Sequence, residues 1–144
     1  KKLKYKKKIC YKLGIAEVKE IDNYNILEAT KLSMRRVVDK FSLENVSLII
    51  DGNFKLNYKF FERSIIKGDQ KSISIAAASI IAKVHRDRLM SILSKKYHGF
   101  DWGENAGYGT KKHIEKLKEL GPTKYHRKSF EPLKSMLYAK KIYE

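Results

Sequence analysis

Three aspartates stand at equal intervals in this chain: Asp51, Asp69 and Asp87 are each eighteen residues apart. Asp51 closes the apolar run Val46 to Ile50 and is followed by Gly52. Asp69 follows Lys67-Gly68, and Asp87 lies in the alanine-rich stretch Ser74 to Asp87. Carboxylates carried to one end of a sheet by three different elements form an oxygen donor set suited to magnesium. Two such ions can activate a water and stabilise a leaving oxygen in phosphodiester hydrolysis. Each aspartate also has a plainer reading. Asp51 suits the turn that an Asp-Gly pair makes, Asp69 suits a helix cap, and Asp87 suits an ion pair with Lys83 four residues earlier.

The alanine-rich stretch is expected to be a helix over about residues 72–96. Ser79, Lys83 and Asp87 recur at four-residue spacing and share one face, while Ile80, Ile81 and Val84 are expected to turn toward a core. Val46 to Ile50 reads as a strand buried on both faces, and a second strand is expected over Arg63 to Lys67. Upstream, Ile9 to Val18 has period-two strand character. Ile26 to Val38 has helical spacing, with Asp22 and Asn25 as candidate caps. Residues 99–109 read as a loop around Trp102. Thr110 is placed to cap a helix that Gly121-Pro122 ends, and a last amphipathic helix is expected over Glu131 to Ile142. Alternation of strands and helices indicates an α/β domain over residues 9–144. Residues 1–8, six of them lysine, read as a basic arm.

The chain has 144 residues, enough for one ordinary domain, and 32 Lys and Arg against 16 Asp and Glu, a formal charge of +16. Such an excess favours polyanionic partners, nucleic acid first, although a lysine-rich source composition accounts for part of it. Lys111, Lys112, Arg127 and Lys128 flank Gly107-Tyr108-Gly109-Thr110, and with Ser79 and Lys83 they are candidate phosphate contacts. Tyr108, set between two glycines, is a candidate stacking ring, with ordinary packing as the alternative. Cys10 is the only cysteine, so a disulfide framework and cysteine-based metal binding are excluded. The histidines show no zinc-ligand spacing. No apolar run reaches membrane-spanning length, and a reducing, cytoplasmic setting is expected.

The ordered series Leu48-Ile49-Ile50-Asp51-Gly52-Asn53, Ile65-Ile66-Lys67-Gly68-Asp69, the alanine helix, Gly107-Tyr108-Gly109-Thr110 and His126-Arg127-Lys128-Ser129-Phe130 resembles ribonuclease HII from about Tyr11 to about Leu133. The resemblance implies a ribonuclease H-like fold, a mixed sheet flanked by helices. It also implies a metal-dependent endonuclease, using Mg2+ or Mn2+, that cuts the RNA strand of RNA–DNA hybrids. On DNA with embedded ribonucleotides, the cut falls 5′ of the ribonucleotide and leaves a 3′-hydroxyl and a 5′-phosphate. Asp51 and Asp69 are the implied catalytic and metal-binding carboxylates, Asp69 as the fourth of the family set; for Asp87, beside the ion pair, the sharper reading is a supporting metal-site role, positioning a water or a second metal. The resemblance makes Tyr108 the ring that stacks on the sugar at the RNA–DNA junction.

The family's Asp-Glu-Ala-Gly-Arg-Gly motif, which carries two further carboxylates and senses the 2′-hydroxyl, has no counterpart in this sequence. The chain is therefore expected to begin at the fold's third strand. Without the first two strands, the strand ending at Asp51 would have unpaired backbone groups and an uncovered apolar face. A missing amino-terminal segment, a partner chain or a dimer mate is expected to complete it. The competing expectation is a catalytically silent fragment that binds nucleic acid through its basic face. A ribosomal-type basic protein would leave Asp51, Asp69 and the tyrosine loop unexplained.

Overall fold

The structure is a computed structural model that describes residues 10–41 and 46–143, so the expected arm at 1–8 lies outside the described residues. The first helix, α1, spans Val18–Asp39. Its start is a capping box in which the Glu17 amide donates to the Glu20 carboxylate at 2.8 Å. At Asn25 the backbone leaves helical geometry, with φ 69°, and the helix kinks. The Asn25 side chain accepts from the amides of Leu27 and Glu28 at 2.9 and 3.1 Å, so it serves as the cap of a new helical segment. Asp22 is not a cap. Its carboxylate reaches across the molecule to Lys128 and Ser129.

Residues 10–17 do not form the expected strand. Among the described residues, their alternation has no neighbouring strand to pair with. Instead, Lys40 and Arg36 of the α1 end donate side-chain hydrogen bonds to the carbonyls of Leu13 and Ile15, each at 2.7 Å. Gly14 lets this segment lie directly on α1, because a Cβ there would meet the Ser33 carbonyl oxygen at 1.9 Å.

Strands β1 (Ser47–Asp51) and β2 (Phe61–Ile65) pair in parallel, with Ser47 opposite Phe61 and Asp51 opposite Ile65. The connection between them, residues 52–60, contains no helix and is pinned by two charged side chains. Arg35 of α1 donates twice to the Leu56 carbonyl, and the Glu62 carboxylate accepts from the amides of Leu56, Asn57 and Tyr58. β2 ends two residues before the expectation because Ile66 and Lys67 form a turn, Lys67 with φ 53°, that enters the short helix α2 (Gly68–Lys71).

The long helix α3 spans Ile73–Lys96, as the alanine-rich pattern predicts. The expected loop around Trp102 contains a short helix, α4 (Trp102–Asn105), and α5 (Lys111–Leu120) begins at Thr110, whose hydroxyl accepts from the His113 amide at 3.3 Å. Helix α6 spans Leu133–Tyr143. The architecture is α/β, a small parallel sheet with helices packed around it, consistent with the ribonuclease H-like fold expected from the sequence.

A buried hydrophobic cluster lies at one end, and Ala29, Ile50, Leu56 and Ile75 are buried apart from it. Leu93 from α3, Phe100, Trp102, Leu117 and Leu133 form this cluster, with Met90, Tyr97, Met136 and Leu137 packed against it. At the other end, α1, β1, α3 and residues 10–14 surround a cleft of about 520 Å³ lined by Leu13, Val37, Ile49, Ile75, Ala78 and Ile81 among others. All five residues of β1 line this cleft, and among the described residues β2 is its only strand neighbour. The expectation that Ile80, Ile81 and Val84 pack into a core is corrected. Ile80 is 64% exposed, Val84 is exposed and Ile81 is partly buried, because no element among the described residues covers that face of α3.

Candidate active site and nucleic-acid face

Asp51 is the last residue of β1, and its Oδ1 accepts from the Gly68 amide at 2.8 Å. This bond joins the end of the strand to the turn that carries Asp69. Gly68 is buried and has no room for a side chain. A Cβ there would lie 2.6 Å from the Ile75 Cδ1 and 3.2 Å from the Asp51 Oδ1. The Lys-Gly-Asp order has a local physical reason: Lys67 turns the chain, Gly68 permits close approach, and Asp69 stands exposed in the first turn of α2. Two of the three equally spaced carboxylates therefore come to the same end of the sheet.

Asp87 pairs with Lys83 at 2.8 Å, one helical turn away on the exposed face of α3. Among the described residues, no three His, Cys, Asp or Glu side chains converge as a metal site. The fit to a divalent cation is therefore partial. Asp51 and Asp69 offer hard oxygen donors, and a carboxylate that accepts one amide keeps lone pairs for a metal, but two carboxylates are half of what a two-metal centre needs.

Tyr108 is 72% exposed. Its presentation comes from Asn105, whose Nδ2 donates to the Phe100 carbonyl at 2.7 Å while its Oδ1 accepts from the Gly107 amide at 2.8 Å. Gly107 has φ 81°, so the chain reverses there, and the Tyr108 amide donates to the Asn105 carbonyl at 2.9 Å. The ring is directed outward by a loop fastened to the aromatic core. Beside it, Lys111 is exposed, and Lys112 forms an ion pair with Asp101. Arg127 lies half-buried over the Phe130 ring, its guanidinium carbon 3.8 Å from the ring centroid. Lys128 is exposed, and so are Ser79 and Lys83 on α3.

A second group of side chains could not be assembled from sequence spacing. His113 and His126 are both buried, with ring centroids 5.3 Å apart, and both pack on Phe100. The Nδ1 of His126 accepts from the Thr123 amide at 3.0 Å, which assigns its proton to Nε2. That Nε2 is buried and has no hydrogen-bond partner among the described residues. Burial, and then the neighbouring His113, push the His126 pKa down to about 4. These rings belong to the core under the tyrosine loop, and only their aromatic packing partners in the sequence hint at it.

A family model described as Ribonuclease HII matches residues 1–133. The chain belongs to the ribonuclease HII family. Among curated relatives, the ribonuclease HII of Macrococcus caseolyticus is 53% identical over 129 residues, covering 90% of this chain and 48% of the relative. That of Wolbachia pipientis from Culex pipiens is 50% identical over 122 residues, covering 85% of this chain and 62% of the relative. For Pelagibacter ubique the identity is 47% over 136 residues, covering 92% and 72%. The chain thus spans about half to three-fifths of the length of the first two ribonuclease HII relatives. Among the described residues, no helix is long and apolar enough to cross a membrane.

Proposed function

We propose that this chain forms the carboxyl-terminal body of a ribonuclease HII that cuts the RNA strand of RNA–DNA hybrids and cleaves 5′ of ribonucleotides embedded in DNA. The observation that carries this reading is the Asp51–Gly68 hydrogen bond, which holds the end of β1 beside the turn bearing Asp69. In the reaction, water adds to phosphorus and the bond to the 3′-oxygen breaks, leaving a 3′-hydroxyl and a 5′-phosphate. Asp51 and Asp69 would hold the divalent cation, Mg2+ or Mn2+, and Asp87 would support a second ion from α3. When bound, the cation supplies charge neutralisation and lowers the pKa of a bound water. Tyr108 offers its exposed face to the sugar at the junction, and Ser79, Lys83, Lys111, Arg127 and Lys128 bind backbone phosphates.

The site reaches full activity with a complementing segment that carries Asp-Glu-Ala-Gly-Arg-Gly, adds two carboxylates and pairs along the open side of β1. The cytoplasm is the compartment that suits a nucleic-acid enzyme with one exposed cysteine, Cys10.

A second reading has its own observation. Among the described residues, Asp51 and Asp69 gain no third acidic, histidine or cysteine partner, which favours a silent nucleic-acid-binding fragment. One experiment separates the two. A duplex with one embedded ribonucleotide is incubated with Mg2+ or Mn2+ and this chain, with and without a polypeptide bearing the Asp-Glu-Ala-Gly-Arg-Gly segment. Cleavage only on addition of the segment is expected, and it should vanish in Asp51→Asn and Asp69→Asn. Binding without cleavage in either mixture would favour the fragment, whereas cleavage that survives both substitutions would refute the site assignment.

A further inference from the structure

Ala106 and Gly107, the two residues before Tyr108, both have left-handed backbone, with φ 49° and 81°. Glycine adopts that geometry freely and alanine does not, so contacts around the pair have to hold it. Asn105 holds it from within the loop, through its bonds to the Phe100 carbonyl and the Gly107 amide. A second hold comes from α3. Arg86 donates through Nη2 to the Ala106 carbonyl at 3.0 Å. A Cβ on Gly107 would lie 3.0 Å from the Met90 Cε and 3.7 Å from the same Arg86 nitrogen. Arg86 and Met90 are one turn apart, so the loop backbone lies directly on the side of α3 that they share.

The Tyr108 ring is largely exposed, and its placement follows from the backbone. The Tyr108 amide is bonded to Asn105, and its carbonyl accepts from the Thr110 amide at 2.9 Å. Met90 also packs against the buried cluster, which fixes α3 where the loop meets it. About three turns back along the same side of α3, Ile75 lies against Gly68, the partner of Asp51. One continuous helix therefore touches both the turn that carries Asp69 and the loop that presents the ring.

We propose that Arg86 is a positioning residue for Tyr108: its guanidinium clamps the Ala106 carbonyl and so fixes the stacking ring relative to α3. The role rests on Tyr108 stacking on a nucleic-acid strand, as proposed above, and in it Arg86 acts through the loop without touching the strand. A guanidinium with one nitrogen on a carbonyl keeps further donors, so a direct phosphate contact is the competing role.

Two measurements on the full chain separate them. Amide hydrogen exchange reads the clamp without a ligand. Arg86→Met keeps the stem and removes the donors, and should speed exchange of the Gly107 and Tyr108 amides several-fold while leaving the buried Leu117 unchanged. Fluorescence anisotropy with an RNA–DNA hybrid reads the function. Tyr108→Ala should weaken binding about tenfold, and Arg86→Met about fivefold with the slope of log K against log salt altered by clearly less than one. The double variant should bind no more weakly than Tyr108→Ala alone. Gly107→Ala crowds Met90 without altering charge and should weaken binding as Arg86→Met does. Emission from Trp102, the only tryptophan, should stay unchanged in Arg86→Met, which places the loss in the loop and not in the core beneath it.

Losses that add to those of Tyr108→Ala, or a slope lower by about one, would assign Arg86 to a phosphate and overturn the positioning role. Unchanged exchange at Gly107 and Tyr108, undiminished affinity in Arg86→Met, or a shifted Trp102 emission would overturn it as well. If Tyr108→Ala costs nothing, or the unaltered chain does not bind the hybrid, the stacking reading fails and the role with it; faster exchange in Arg86→Met would then mark the clamp as purely structural.

Discussion

The two ends of α3 meet different neighbours, a filled cluster at one and an open cleft at the other. At its carboxyl end, Leu93 is buried with Phe100, Trp102, Leu117 and Leu133, all contributed within about forty residues of sequence. At its amino end, Ile73 is 90% exposed and Ile80 is 64% exposed, beside a cleft that β1 and α1 line but do not fill. One apolar residue is buried near each end, Ile75 and Leu93, but only Leu93 belongs to a filled cluster. The comparison sets a cluster filled by residues from several elements against a cleft that the described elements line without filling.

The largest effect should come from breaking the filled end. Trp102 is 2% exposed and stacks on Phe100 with ring centroids 5.3 Å apart. Trp102→Ala should lower stability by about 3–5 kcal/mol, read from urea unfolding followed by circular dichroism. A loss below about 1 kcal/mol would mean that this cluster is not the chain's core.

The next effect is a pH dependence confined to the same end. The folded His126 has a pKa near 4, below the ordinary 6.5. As pH falls, the unfolded chain therefore binds the proton first. The stability tied to neutral His126 is complete above about pH 6.5, declines as pH falls toward 4 and levels off below that, for a total on the order of 2 kcal/mol. Thermal unfolding from pH 7 to pH 4 should show this decline, and His126→Gln should flatten it. An unchanged slope in the variant would place the titration elsewhere.

The smallest effect belongs to the open end. Ala78→Glu, at an exposed residue that lines the cleft, should change the stability of this chain by no more than about 0.5 kcal/mol, because the side chain is already in water. If the cleft is where the Asp-Glu-Ala-Gly-Arg-Gly segment docks, the same substitution should abolish complementation. Equal stability with unimpaired complementation would put the docking site elsewhere.

Much of this arrangement was legible in the residues. The alanine-rich spacing located α3 within a residue at either end, Thr110 and Gly121 bracketed α5, and Val46 to Ile50 marked β1. The period-two pattern at Ile9 to Val18 misled, because alternation describes a strand only when a neighbour pairs with it. The apolar face of α3 misled in a related way: periodicity identifies a face that wants cover and is silent on whether cover is present. Near the proposed site, Asp-Gly and Lys-Gly-Asp marked the strand end and the turn, whereas the Asp51–Gly68 hydrogen bond that joins them has no pattern in the sequence. Contacts between residues far apart in sequence, such as Asp22 with Ser129 and His113 with His126, leave no local pattern to read.

Ile75 is shared by both parts of the site. It lines the cleft, and it forms the wall against which Gly68 packs while the Gly68 amide holds Asp51. A polypeptide that touched Ile75 in the cleft would therefore contact the residue packed behind Gly68, the partner of Asp51. With Asp51 as the proposed ion ligand, thermodynamic linkage would make the coupling reciprocal: a segment that tightened ion binding there would itself be bound more tightly when the ion is present, and by the same factor.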